Sequence, residues 1–436
     1  MEKRLKKRYN TLVRSEMGVK ENNKSGMNFL VKTKAFSQAQ ASWRFYNNKN
    51  VKISDLNNPI LKDGIEQINK QCKEYCLVAY DWSHIDYKRH KSKKDCIEEK
   101  RSKTTTAKSI GYDLQSSLAI SDKDGTPITP LLQNLKTSNK VYSTYDDNID
   151  IECRHLEELS YRSKYTNENL NIKKKIVDIV DREADSIALI RNYHKDKRLY
   201  LIRAKDGSTI HINYSSLNDK DKKQLEKINT PNKAIEQKQL ASSLSKGKYV
   251  KTIRYKKQAV KIYVNECEVT ITRDAYRTIV GENGKRKNIK TKGVPITTRF
   301  VVVKLINEKQ EILATWILLT NVEKEIDSKT IATWYYYRWN IESYFKLLKS
   351  SGFNLEKWQE ETPLAVFKRL LVVSYACVLV WQIQHSTKKY AKETREFLTK
   401  LSGKLIQRDK ETTAPALLAG LLNFLQTLDI LENFSI

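Results

Sequence analysis

The sequence predicts an α/β fold, and three observations carry that reading. Two short apolar runs, Cys76–Tyr80 and Ile176–Val180, each stop at an aspartate, Asp81 and Asp181. A helical pattern, Ala184–Tyr193, follows the second run and leads to another strand, Leu199–Ile202, the alternation of an α/β layer. Residues 206–322 are then rich in strand-forming side chains, and helical patterns flank the whole.

Taken in order, residues 1–66 are polar and rich in Lys and Asn, with helical patches at Phe36–Phe45 and from Pro59 to Cys72. They read either as a small helical binding module or as a solvated extension. Residues 67–205 hold the first part of the α/β layer: the run ending at Asp81, an alternating strand at Tyr112–Ile120, the turn Asp122–Gly125, a strand near Ile128, and a helix over Cys153–Tyr161. Within 206–322 the pieces Val260–Val264 and Glu268–Thr272 read as strands, Gly281–Gly293 as a basic loop, and Phe300–Ile306 with Ile312–Thr320 as a hairpin. Residues 323–385 return to helix, opening at the N-cap pair Asp327-Ser328 and again at Thr362-Pro363, where proline suits the first helical position. Residues 386–436 end in an amphipathic helix from about Ala414 to Leu431.

Charge narrows the function. The 436 residues carry 80 Lys plus Arg against 51 Asp plus Glu, a net charge of +29, which favours a large polyanionic partner, normally a nucleic acid. A membrane surface is the rival polyanion, but the apolar run Leu370–Trp381 is too short to span a bilayer. The N-terminus is charged with no apolar segment behind it, so no secretory leader is expected. The 6 cysteines have neither disulfide-framework nor zinc-finger spacing, and the chain reads as soluble, cytoplasmic and reduced.

One spaced quartet carries the most chemistry: Tyr335-x2-Arg338-x3-Glu342-x6-Lys349. At 3.6 residues per turn these four fall within an arc of about 60° on a helix, with Trp334, Ile341, Phe345 and Leu348 on the adjoining arc. A carboxylate between two cations and a phenol suits a metal and a polyanion; an exposed helix with an ordinary Arg338–Glu342 ion pair is the plainer alternative. Asp81, Asp181 and Glu342 could together hold a pair of Mg²⁺ ions, which prefer oxygen ligands. Asp86 and Asp178 compete for such a role, although strand alternation turns Asp178 away from the face of Asp181.

These residues, with the Asp181-Arg-Glu-Ala-Asp185 run, Tyr87 after Ala79-Tyr-Asp81, and Trp316-Ile-Leu-Leu-Thr320 before the quartet, resemble bacterial DDE transposases of insertion-sequence family four, the Tyr-Arg-Glu-Lys motif group. The resemblance can be followed from about residue 36 to 360. It implies a ribonuclease-H-like catalytic domain with a β-rich insertion, flanked by small helical regions, the first binding DNA ends and the last a candidate for dimerisation. It further implies that Asp81, Asp181 and Glu342 bind two Mg²⁺ ions, for which Mn²⁺ substitutes, and that Tyr335, Arg338, Lys349 and Arg203 contact DNA. Trp316 would stack on a base extruded from the element end. For Trp316 the alternative is a packing aromatic of the hairpin, and for Arg203 a salt-bridged residue at a strand end. The implied activity is cut-and-paste transposition: nicking, hairpin closure and opening, and strand transfer, by a homodimer bound to inverted-repeat ends and target DNA. A ribonuclease-H-like nuclease without strand transfer, or a DNA-binding inhibitor without catalysis, are the alternatives.

Overall fold

Three helices lead into the sheet: α1 (Lys3–Glu16), α2 (Ala35–Asn47) and α3 (Ile53–Gln71). The computed structural model describes residues 1–17, 35–100, 108–227, 234–256, 258–280, 286–350, 352–404 and 412–433. Helix α1 buries Tyr9, Leu12 and Val13 and leaves Lys3, Arg4, Lys6 and Lys7 exposed, so its apolar stripe docks while its basic face meets solvent. Helix α3 begins well before Pro59, because Asp55 accepts the Lys52 N–H at 3.1 Å and caps the helix there; proline sits inside rather than at the start expected for it.

Five strands follow: β1 (Tyr75–Asp86), β2 (Ile97–Lys100), β3 (Lys108–Ser121), β4 (Pro127–Lys136) and β5 (Val141–Ser143). The α/β layer then runs α4 (His155–Asn169), β6 (Lys175–Val180), α5 (Ile187–Lys195), β7 (Leu199–Arg203). After these come β8 (Thr209–Ile212), α6 (Asp219–Glu226), β9 (Ile235–Glu236), α7 (Gln237–Ser243), β10 (Lys248–Tyr255), β11 (Gln258–Ile271), β12 (Ala275–Val280), β13 (Arg286–Thr291), β14 (Ile296–Ile306) and β15 (Ile312–Thr320). The chain closes with α8 (Ser328–Tyr337), α9 (Trp339–Lys349), α10 (Pro363–Gln384), α11 (Ala391–Leu401) and α12 (Ala414–Asn433).

The main sheet has the order β5-β4-β3-β1-β6-β7-β15-β14-β11-β8-β9, with β2 on β3 and β10 on β11. Strands β1, β6 and β7 are mutually parallel, and β3 and β4 are antiparallel on the β1 side. The β-rich segment extends this same sheet through the antiparallel pair β15–β7, with Leu318 opposite Arg203. Three local expectations change. Strand β1 runs on to Asp86 instead of ending at Asp81, because β3 pairs with it as far as Gly111. Val260–Val264 and Glu268–Ile271 belong to the single strand β11, held along its length by β14, and Thr272 lies just past its end. The described end of the basic loop, from Arg286, is strand β13 paired to β12; residues 281–285 lie outside the described residues.

Alternation sorts the strand side chains onto two faces. Leu77, Ala79, Val177 and Ile179 share one core with α8, α9 and α10, while Cys76, Val78, Tyr80, Ile176 and Val180 share the other with α4 and α5. Helix α10 is capped by Thr362, whose hydroxyl accepts the Ala365 N–H at 3.3 Å. By length and composition this 22-residue helix could cross a membrane, longer than the apolar run suggested, but 83% of its most apolar stretch is buried in the fold, as in a core helix.

Helices α11 and α12 meet closely at Gly420, where a Cβ would stand 1.9 Å from the Leu398 carbonyl oxygen. Because backbone cannot yield as a side chain would, Gly420→Ala should destabilise this pair by about 1–3 kcal/mol, read as faster amide exchange across both helices. Unchanged exchange there would mean that the helices part freely.

Candidate active site

The register of the central strands brings two aspartates side by side. The last parallel pair of β1 and β6 is Ala79 opposite Ile179, so Asp81, two residues further on β1, and Asp181, just past the end of β6, continue the same face. Beyond that point the strands separate. Strand β1 stays with β3, Asp81 opposite Ser116, while β6 ends at Val180 and turns. Asp181 caps the short turn that follows by accepting the Glu183 N–H at 2.9 Å, and Asp81 accepts the Trp82 N–H at 2.8 Å. Asp178 falls on the other face, fully buried and hydrogen-bonded by Ser163, and Asp86 also has the parity opposite to Asp81.

Helices α8 and α9 bring the quartet to this place. Asp327 starts α8 by accepting the Thr330 N–H at 2.8 Å. The β3–β4 turn then holds the helices from below: Trp334 Nε1 donates to the Asp122 carbonyl at 3.2 Å and Asn340 Nδ2 to that of Gly125 at 2.8 Å. Gly125 has a φ of 77°, and a Cβ there would stand 2.3 Å from the Tyr337 ring, so the contact needs glycine twice over. Arg338 joins the two helices in right-handed helical conformation, so the quartet keeps its helical spacing across the junction.

Arg338 is the electrostatic centre. Its side chain is 8% exposed; Nη1 lies 3.4 Å from Asp81 Oδ2 and Nη2 is hydrogen-bonded to Glu342 Oε1. Burial pushes the Asp81 carboxyl up to about 6. Arg338 and the Trp82 N–H oppose that rise, whereas the negative charges of Asp181 and Glu342 add to it. Asp81 therefore feels both other carboxylates.

Tyr335 is buried beneath them. Trp316 packs edge-on against its ring, centroids 5.6 Å apart. Burial raises the Tyr335 hydroxyl, with Arg338 and Arg203 opposing and Asp181 reinforcing, so all three stand within its electrostatic reach. The Tyr335 hydroxyl, Arg338 Nε and Arg203 Nε are all buried with no hydrogen-bond partner. These are donor positions with no acceptor of their own, next to the carboxylates.

Two predicted contact residues are placed differently from what an open DNA surface needs. Trp316 is 4% exposed and sits in the core against Tyr335. The Lys349 ammonium is hydrogen-bonded to the His84 carbonyl and lies 3.5 Å from Glu356, held against the end of β1. One group escaped the sequence reading altogether. Lys251 of β10 lies 4.7 Å and 5.1 Å over the rings of Tyr336 and Tyr337, beside the half-exposed Trp339. The Tyr335-Tyr-Tyr-Arg-Trp339 run was its signal; the cation arrives from a distant strand.

Residues 164–381, half of the chain, match the family described as Transposase DDE domain. The chain belongs to the DDE transposase family. The match takes in Asp181, Arg203, Trp316 and the whole quartet of this transposase, while Asp81 lies before it. No curated protein matches the transposase. A cryo-EM structure of piggyBac transposase synaptic complex with hairpin DNA aligns over 100% of the transposase and 73% of its own chain, at 8% identity and a TM-score of 0.38, a likeness too distant to bear on the fold.

Proposed function

We propose that this DDE transposase moves an insertion sequence by cut-and-paste, with Asp81, Asp181 and Glu342 as its catalytic carboxylates. The observation that carries the reading is the parallel register that sets Asp81 beside Asp181, with Arg338 joining Asp81 to Glu342. Antiparallel β4-β3-β1 continued by parallel β6 and β7 supports a ribonuclease-H-like core, with the β-rich segment inserted between β7 and α8.

The donor set suits a hard divalent cation. All three groups are carboxylates, and Asp81 is raised partly by the other two, an excess of negative charge that a dication relieves. Among the described residues no group of three His, Cys, Asp or Glu side chains is yet arranged to hold a metal ion, and Arg338 occupies the space between two of the three. Two Mg²⁺ ions, or Mn²⁺ in their place, would supply activation of the attacking water or hydroxyl and stabilisation of the leaving oxygen. The protein's own part is positioning. The unpartnered Tyr335 hydroxyl, Arg338 Nε and Arg203 Nε offer donors to a DNA-end phosphate, Arg338 with the planar fork that suits it. Lys349 joins them once it leaves His84 and Glu356, while Trp316 fixes the Tyr335 ring from behind.

The exposed cations of α1, together with the net charge of +29, support binding of inverted-repeat ends and target DNA, and a homodimer would pair two ends. The proposed setting is the bacterial cytoplasm, on the nucleoid. Nicking, hairpin closure, hairpin opening and strand transfer are all in-line displacements at phosphorus, so one site serves all four and no covalent Ser or Tyr adduct is needed.

A labelled DNA carrying one candidate element end tests this, incubated with Mg²⁺ and either the native protein or Glu342→Ala. A nick followed by a hairpin, both absent with Glu342→Ala although DNA is still bound, is the expected result. Nicking with no hairpin would leave a nuclease; binding with no cleavage by the native protein would leave a regulatory DNA-binding protein.

A further inference from the structure

We propose that Arg338 is a gate on the metal site: without DNA its guanidinium bridges Asp81 and Glu342, and a phosphate of the DNA end draws it off to admit the cation. The proposal rests on the assignment of those carboxylates made above and adds an order of events to it.

Three features of the geometry point this way. First, the guanidinium spends both terminal nitrogens on the two carboxylates, Nη1 on Asp81 and Nη2 on Glu342. A dication needs those same oxygens and is repelled by the guanidinium while it stays. Second, the two ends of the bridge differ in freedom. The Arg338 backbone is fixed at the α8–α9 junction and its side chain is 8% exposed, so its guanidinium reorients in place, while the Glu342 side chain, 50% exposed, parts from it without breaking packing. Third, Arg338 keeps Nε buried and unpartnered, as does Arg203, with the equally unpartnered Tyr335 hydroxyl near both. An anion bound there gives the guanidinium a new acceptor that competes with Asp81 and Glu342.

The bridge thus makes one side chain answer to both ligands. With Arg338 between them, Asp81 and Glu342 are neutralised by an internal cation. With a phosphate in the donor pocket, the positive charge moves to the phosphate and the carboxylates are left to a metal. Metal and DNA then bind with positive coupling, and by linkage each strengthens the other equally. The consequence for the enzyme is that unbound protein holds little divalent metal, which guards the cell's DNA against stray hydrolysis.

Mn²⁺ binding to the DNA-free protein, followed by the electron-spin signal of free Mn²⁺, is the test. If the released state is populated at about one part in ten or less, apparent affinity is lowered about tenfold or more. Arg338→Gln should therefore bind Mn²⁺ at least about tenfold more tightly than the native protein without DNA. An element-end oligonucleotide should raise the native affinity and leave that of Arg338→Gln nearly unchanged. Asp181→Asn placed in the Arg338→Gln background identifies the site. If that second substitution abolishes Mn²⁺ binding but Arg338→Gln alone binds no more tightly than native, the gate is overturned and the carboxylate assignment stands. If Asp181→Asn changes Mn²⁺ binding in neither background, the carboxylate assignment fails and takes the gate with it.

Discussion

Asp81→Asn is expected to lose strand cleavage by at least about a thousandfold and yet to give a more stable protein at pH 8. The two effects have one cause. Asp81 is 20% exposed, and burial with two neighbouring carboxylates lifts its acid constant from an ordinary 3.8 to about 6 despite Arg338. A group raised on folding favours the folded state fully below its unfolded value and loses that contribution as pH rises through the folded one. Above pH 6 the ionised Asp81 is therefore a burden of about 2–3 kcal/mol on the free protein, and an amide of the same shape removes it. The stability gain should shrink through pH 6 and vanish below about pH 3, where the aspartate is protonated in both states. Urea unfolding with chelator present, at pH 8, 6 and about 3, checks this beside a cleavage assay at pH 8. A variant no more stable at pH 8 would show that Asp81 is well solvated as an anion, and that the carboxylate cluster is looser than the structure has it.

How much of this site lay open in the sequence depends on the distance over which each feature is made. The aspartates were legible because each ends an apolar run of strand length, but their shared face comes from the parallel β1–β6 register, which pairs Ala79 with Ile179. The quartet was legible because its spacing maps onto one side of a helix, and the helix keeps that spacing through the Arg338 junction. What was not legible depends on pairs far apart in the chain. Nothing local tells that Arg338 reaches Asp81 across the α9–β1 contact, or that Lys251 arrives over Tyr336. Trp316 shows the same limit from the other side. A tryptophan before the quartet suited a stacking platform, but on β15 its alternation points it into the core against Tyr335. The continuation of the sheet through β7 and β15 was hidden likewise, because strand pairing between distant segments leaves no local period.

Helix α1 was the least legible element, since polar, Lys-rich composition suggested a loose extension, and one buried charge explains why it is not. Arg369 of α10 is fully buried, with Nε 3.0 Å from Glu16 Oε1 of α1 and Nη1 3.1 Å from Glu360 Oε1. Its guanidinium also lies 4.2 Å over the Trp358 ring. One cation thus fastens α1, α10 and the segment before α10. Replacing such a pair by apolar groups can be neutral, but removing one partner leaves buried charge uncompensated. Arg369→Ala strands two buried glutamates and should cost about 3–5 kcal/mol, a large part of the stability of a typical domain. Burial already holds Glu16 above the usual carboxylate range even with Arg369 beside it, so the loss of Arg369 raises it further. By the same linkage as for Asp81, the deficit should be largest at neutral pH and recover in part as Glu16 takes up its proton in acid. Trypsin should then cut within α1, where Lys3, Arg4, Lys6 and Lys7 are exposed, faster than in the native protein. The triple change Glu16→Gln, Glu360→Gln, Arg369→Met removes every charge and should restore most of the stability. If Arg369→Ala alone unfolds within about 1 kcal/mol of the native protein at pH 7, the triad does not hold α1, and its apolar stripe of Tyr9, Leu12 and Val13 suffices to dock it.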